Sequence, residues 1–342
     1  MSPADLTGPQ YWLPLISAGV IGLAVAMYVV LDGFDLGVGI LFPYFPQEVQ
    51  RDQTMNSVAP FWDGNETWLV LGGTGLLVAF PLAYAVIMPA LYVPLIVMLL
   101  ALVFRGVAFE FRWVAKPRHR KWDIAFIAGS TVAAFCQGLM LGGLLGGIRV
   151  DGNHFGGSAL DWLTPFSLLC GLGLVVGYAF LGACWLVMKT VGGVEQIARR
   201  LARPLFVAFL AFIVVVSVWT PLEFQRIAMR WFSMPNILYL SPVPILTALL
   251  TVSCWRGIYG RHPSVAFYSA VGLFVVAFIG LVISTLPYLV PPTITLWQAA
   301  AAPKSQAFIL AGMSVMIPVI LGYTVFVYHT FRGKVRPGEG YH

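Results

Sequence analysis

Nine stretches of the chain stay apolar over the length that a membrane crossing demands. A spanning helix needs about 20 mainly apolar residues. Such stretches lie at 12–42, 61–80, 84–111, 123–147, 163–188, 204–221, 237–255, 264–286 and 305–331. They are continuously apolar and do not alternate between two faces, so they predict helices and not the strands of a barrel. The pattern therefore predicts an all-α polytopic membrane protein, with residues 1–342 forming a single membrane domain of nine transmembrane helices. The first stretch is too long for the apolar core of a signal peptide and has no basic segment before it, so no cleavable leader is expected.

Composition agrees with the pattern. Of 342 residues, 59% are hydrophobic and 10% charged, against about 45–50% and about 25% in soluble domains. A soluble monomer of this composition would expose large apolar patches, and a disordered chain would not carry so much apolar surface. The net charge of +6 would suggest nucleic acid if the basic residues were not arranged by segment. Fifteen of the 20 Lys and Arg lie after stretches 1, 3, 5 and 7 or in the C-terminal tail, and four (Arg149, Arg226, Arg230, Lys304) lie in the opposite segments. Basic residues favour the cytoplasmic side, so the N-terminus is expected in the periplasm and the C-terminus in the cytoplasm.

A short internal repeat suggests how the spans are grouped. Phe104-Arg105-Gly106-Val107 ends the third stretch and Trp255-Arg256-Gly257-Ile258 ends the seventh. Four spans separate them, on the same expected side. This predicts one four-helix unit over 12–147, a second over 163–286, and a ninth, peripheral helix at 305–331.

Few ionisable side chains fall inside the spans, and such residues are costly there unless they have a function or a partner. Asp32 and Asp35 share one helix face in the first span. Asp63 and Glu66 open the second, within Phe61-Trp62-Asp63-Gly64-Asn65-Glu66-Thr67-Trp68. Arg105 and Glu110 lie toward the end of the third. At about 1.5 Å per residue, all of them fall in the expected cytoplasmic half. Asp32, Asp35, Asp63 and Glu66 are candidates for a proton or cation inlet that enters from one side and stops. Arg105, Glu110, Trp62 and Asn65 are candidates for the surrounding structural or interface network. Two plainer readings stand beside the inlet. Asp63 and Glu66 fit a helix-capping pattern, and Asp32 and Asp35 could pair with Arg105 only to lock two spans together. Glycines 33, 37 and 39 predict close helix approach.

No catalytic, cofactor-ligating or metal-ligating set is evident. The four cysteines lie inside apolar stretches without metal-site spacing and are expected to be small buried hydrophobes. Of the five histidines, four lie in loops or the tail and His329 lies in the last turn of the final span, so none is placed at mid-membrane depth to hold a haem.

The runs Asp32-Gly33-Phe34-Asp35-Leu36-Gly37-Val38-Gly39, Ala59-Pro60-Phe61-Trp62-Asp63-Gly64-Asn65-Glu66-Thr67-Trp68 and Arg105-Gly106-Val107-Ala108-Phe109-Glu110-Phe111-Arg112 together resemble subunit II of the cytochrome bd-type quinol oxidases. Length and span count fit over the whole chain, and the C-terminal half matches mainly by hydropathy. The resemblance implies a respiratory terminal oxidase of the bacterial cytoplasmic (inner) membrane that oxidises quinol and reduces dioxygen to water. Protons are taken from the cytoplasm without pumping. It implies haem b and haem d in a larger subunit I, which forms a pseudo-symmetric heterodimer with this chain, and allows small accessory subunits and a structural quinone or lipid. By that analogy Asp32, Asp35 and Asp63, then Glu66, are the inlet residues. The competing expectations are a secondary transporter with a carboxylate-lined site and a purely structural membrane subunit. No nucleic-acid partner is expected.

Overall fold

The computed structural model describes residues 7–260 and 262–338. The chain folds into helices α1 (Pro9–Leu41), α2 (Glu48–Asn56), α3 (Trp62–Ala79), α4 (Pro81–Ala90), α5 (Tyr92–Val114), α6 (Arg120–Gly146), α7 (Pro165–Lys189), α8 (Gly193–Glu223), α9 (Gln225–Phe232), α10 (Asn236–Leu240), α11 (Pro242–Tyr259), α12 (Pro263–Thr285), α13 (Leu296–Ala299) and α14 (Pro303–Thr330). Two small antiparallel hairpins complete it: β1 (Val150–Asp151) with β2 (His154–Phe155), and β3 (Tyr288–Val290) with β4 (Ile294–Thr295).

Eight of the described helical segments are long and apolar enough to cross a membrane. The chain is thus an all-α multi-pass membrane protein. The expected span at 61–80 forms as α3, but Asp63, Asn65, Glu66 and Thr67 crowd its first turns, and it is not among the eight.

Three expected spans have different limits in the structure. The stretch 84–111 is broken at Leu91 into α4 and α5. Pro94 explains the break, because a proline ring inside a helix collides with the carbonyl four residues earlier, here that of Ala90. The stretch 237–255 is likewise split into α10 and α11 at Pro242, which sits in the first turn of α11 where a proline is tolerated. The stretch 204–221 is the apolar part of a longer α8, whose opening turns carry charge on one side and bury Val194, Ala198 and Ala202 on the other.

α1 is the axis of the bundle and packs on α3, α6 and α7. Its final turns, from Asp32 to Gly39, are buried on all sides. The glycines expected to allow close approach do so. A methyl group on Gly37 would collide with the backbone carbonyl of Tyr178 on α7, one on Gly39 with the Ser130 hydroxyl on α6, and Gly182 of α7 meets the backbone of Gly37 in return. Large buried rings fill the adjacent space: Phe34 stacks on Trp185 at 4.3 Å, and Phe42 and Phe109 flank Phe126. One apolar core runs continuously from Phe34 on α1 through α5–α8 and α12 to Val327 on α14.

The two ends of the bundle differ. One end holds α4, α13 and both hairpins around a second apolar cluster of Phe80, Ile148, Val290 and Leu296. The other holds α2 and the basic clusters. There α2 lays Asp52 against Arg112 (2.5 Å) and Lys116 (2.6 Å), and Asp123 of α6 receives Arg112 (2.7 Å) and Arg51 (3.1 Å). The C-terminal tail closes over this end. Val335 N–H donates to the Lys189 carbonyl (2.7 Å), and the Gln53 amide donates to the Val335 carbonyl (2.8 Å).

Candidate functional site

The short-range logic of the sequence puts four polar groups in one place. Asp32 and Asp35 lie one turn apart on α1, facing α3 and α5. Arg105 lies about two and a half turns before the end of α5 and points inward. Asn65 lies in the first turns of α3. All four side chains are buried, Asp32, Asp35 and Arg105 completely.

Arg105 Nη1 is 2.7 Å from Asp32 Oδ1, and Nη2 is 3.9 Å from Asp35 Oδ2. Asn65 Nδ2 donates to Asp35 Oδ2 at 2.7 Å, and its Oδ1 accepts from the Tyr328 hydroxyl of α14 at 3.1 Å. The cluster thus joins α1, α3, α5 and α14. Above it, Phe109 stacks on Trp62 at 4.9 Å with the rings nearly parallel, and the guanidinium of Arg105 lies 6.0 Å from the Phe109 ring centre. Trp62 therefore backs the ring that lies nearest the arginine.

Glu66 and Asp63 lie on the same helix as Asn65, toward the basic end. Glu66 is half-buried and Asp63 is exposed. The N-cap of α3 is Phe61, with no side-chain capping bond. The capping-box geometry for Asp63 and Glu66 is thus not formed, although Asp63 remains a first-turn acid favoured by the helix dipole. Glu110 is exposed on α5, and the structure does not bring it to Arg105.

Several participants escape a reading of spans alone. Tyr328 lies 263 residues from Asn65 in sequence. A second polar chain continues along the bundle from the turn before Asp32: the Tyr178 hydroxyl donates to Gln137 Oε1 and Gln137 Nε2 donates to the Tyr28 hydroxyl, both at 2.8 Å. Arg112 follows Arg105 by two helical turns, about 10 Å, and anchors the ion-pair ring at the basic end. Its spacing from Arg105 was a usable signal; nothing local marks Tyr328 or Gln137. The repeated Arg-Gly pairs are not equivalent in space. Arg105 is buried among carboxylates, whereas Arg256 is exposed in the last turn of α11.

Among the described residues, no group of three or more His, Cys, Asp or Glu side chains is placed to hold a metal. The described histidines sit before α6, in β2, before α12 and in the last turn of α14. Only His329 lies within a spanning helix, and it sits in the last turn, so none of the described histidines offers an imidazole at the mid-membrane depth of a haem.

A model of the family described as cytochrome bd terminal oxidase subunit II matches residues 13–331. Among curated proteins, the chain is 28% identical over 367 residues to a probable cytochrome oxidase subunit 2 of Haemophilus influenzae, covering 95% of this chain and 94% of that protein. It is 28% identical over 371 residues to cytochrome bd-I ubiquinol oxidase subunit 2 of Escherichia coli, with coverage of 95% and 94%. Against cytochrome bd ubiquinol oxidase subunit 2 of Bacillus subtilis it is 26% identical over 348 residues, covering 96% and 97%. Its fold matches a chain in the solved structure of the bd oxidase from Geobacillus thermodenitrificans with a TM-score of 0.72 at 19% identity, over 93% of this chain and 98% of that one.

Proposed function

Because the chain belongs to the cytochrome bd terminal oxidase subunit II family, we propose that it is the haem-free half of a quinol:dioxygen oxidoreductase in the bacterial inner membrane and supplies that complex with a proton inlet. Its partner is a haem-bearing subunit I, which holds haems b and d and oxidises the quinol. The names of the Escherichia coli and Bacillus subtilis relatives support quinol as the reductant. This chain carries out no electron transfer alone, and the complex separates charge by where protons are taken up, without pumping them.

The inlet reading needs a sided membrane arrangement. We take α3 as the ninth crossing. Asn65 meets Tyr328 near one end of α14, and Gln306 near the other end of α14 donates to the Ala79 carbonyl that ends α3. The two helices therefore run side by side through the same layer. With nine crossings the basic end faces the cytoplasm, the N-terminus lies in the periplasm, and α1, α3, α5 and α6 form one four-helix unit, α7, α8, α11 and α12 the second, and α14 the peripheral helix.

The observation that carries the reading is the graded burial of four carboxyls: Asp63 exposed, Glu66 half-buried, Asp35 and Asp32 fully buried against Arg105. Reduction of dioxygen to water consumes one proton for each electron. A dry site with two carboxyls and one guanidinium is electrically neutral when one carboxyl carries a proton, and an isolated net charge there is costly. Asp32 and Asp35 can thus pass between them a proton delivered by way of Asp63 and Glu66, while Arg105 fixes the charge balance and Asn65 holds Asp35 in place.

The test is proton uptake by the assembled oxidase with its haem spectra intact. Glu66→Gln and Asp63→Asn should each slow dioxygen reduction and its charge-separating phase. Glu66→Gln should slow them by on the order of tenfold or more, as for loss of a proton-transfer group. Unchanged turnover and unchanged uptake transients in both variants would reduce the cluster to a helix lock and this chain to a structural subunit.

A further inference from the structure

A second polar site lies at the basic end, apart from the carboxylate cluster. A cavity of about 460 Å³ opens between the first turns of α8, the end of α11 and the C-terminal tail, lined by Glu195, Arg199, Arg203, Tyr259, Gly260 and Lys334. Glu195, Arg199 and Arg203 recur every four residues on α8 and so share a face. That face is available because the helix starts eleven residues before its apolar part.

The charges in the cavity do not balance. Arg199 Nη2 is 3.0 Å from Glu195 Oε1, and Lys334 Nζ is 3.4 Å from Glu195 Oε2. Arg199 Nη1 also donates to the Gly260 carbonyl at 3.4 Å, and Lys334 donates to the Thr190 carbonyl at 3.1 Å. Arg203 has no carboxylate among the described residues within 4 Å; its guanidinium lies 5.0 Å from the centre of the Tyr259 ring. Three cations therefore share one carboxylate, which leaves an excess of two positive charges.

The surroundings specify the kind of anion. One turn deeper on α8, Val207 is 62% exposed, and one turn deeper on α11, Trp255 is 58% exposed, with its ring 5.9 Å from that of Tyr259. A doubly positive mouth thus sits directly above an apolar strip that continues into the membrane-spanning part of two helices. An inorganic anion would use only the mouth, whereas an amphiphile uses both. We propose that this cavity binds the phosphodiester headgroup of an anionic glycerophospholipid, such as phosphatidylglycerol, with its acyl chains along Val207 and Trp255. Basic pockets between spanning helices are suited to such headgroups. The single negative charge of the phosphodiester offsets half of that excess, and the headgroup adds a second tie between the tail residue Lys334 and α8, beside its ion pair with Glu195.

The experiment uses the whole oxidase complex in phosphatidylcholine nanodiscs with and without phosphatidylglycerol, with retained lipid counted by native mass spectrometry. The wild type should retain phosphatidylglycerol selectively and unfold at higher temperature when it is present. The Arg199→Gln/Arg203→Gln pair should lose that retention, with affinity on the order of tenfold or more weaker, and lose the thermal shift while keeping its haem spectrum. The Arg199→Lys/Arg203→Lys pair should keep both. Equal retention by the glutamine pair overturns the proposal. So does full displacement of phosphatidylglycerol by inorganic phosphate at matched phosphate concentration, which would make the cavity a free-anion site.

Discussion

Single side chains in this protein matter in proportion to how completely water is excluded around them. Arg105 has no exposed surface, and its two carboxylate neighbours have none either. Replacing a buried ionic cluster as a whole with neutral groups is often tolerated, but removing one member leaves a buried charge without its partner, at about 3–5 kcal/mol. Arg105→Met should therefore cost about that much and lower the yield of assembled complex. Arg105→Met combined with Asp32→Asn and Asp35→Asn should recover most of the loss. Denaturant unfolding of the purified oxidase measures both, and no recovery in the triple variant would mean that the guanidinium matters for shape and not for charge. Asn65 lies between two constraints, since its amide nitrogen serves Asp35 and its carbonyl oxygen serves Tyr328. The residue types of this cluster could be read from the sequence, because acids and an arginine stand out within apolar stretches. Its fourth helix could not, because a tyrosine in an apolar span is ordinary until its hydroxyl is seen to meet a partner.

Helices are the scale at which the sequence was most legible and at which its errors have physical causes. Apolar runs located the membrane-crossing helices well. They misplaced ends wherever a backbone rule overrode hydropathy, as at the α4–α5 break ahead of Pro94 and at the α10–α11 break ahead of Pro242. They also cut α8 short, because hydropathy stops at the membrane boundary whereas backbone hydrogen bonding does not. The contact between α1 and α7 shows what pattern alone cannot grade. Gly22 and Gly37 stand on the same helix and look alike in sequence, yet a methyl group on Gly22 would meet nothing within 4 Å and one on Gly37 would strike the α7 backbone. A backbone cannot rotate aside as a side chain can, so the cost at Gly37 should reach or exceed the usual about 1–3 kcal/mol of overpacking. Gly37→Ala should depress thermal stability and assembly strongly, whereas Gly22→Ala should leave both near wild type. Similar effects in the two variants would show that the helices separate readily at the crossing.

Over the whole molecule, polarity is distributed by end. The carboxylate cluster, the ring of Asp52, Arg112 and Asp123, the tail strap and the lipid-binding cavity all lie toward one end, and the hairpins with α4 and α13 form the other. The basic bias between alternate segments is legible in the sequence. The meeting of Gln53 with Val335 across 282 residues is not, since closure of the tail over α2 depends on where twelve intervening helices come to rest. The bias and the inlet depend on each other: if the basic end faces the cytoplasm, Asp63 faces the proton supply, and if it faces the periplasm, the same carboxyls would draw protons from the wrong side and the complex would separate no charge. Reporter fusions decide between these. A green fluorescent protein joined after the C-terminal tail should fluoresce in cells, and alkaline phosphatase inserted in the β1–β2 hairpin at Gly152 should be active. An inactive phosphatase at Gly152 together with a dark C-terminal fusion would reverse the orientation. A fluorescent C-terminal fusion together with an active N-terminal phosphatase would confirm an odd number of crossings, so that α3 passes fully through the membrane beside α14.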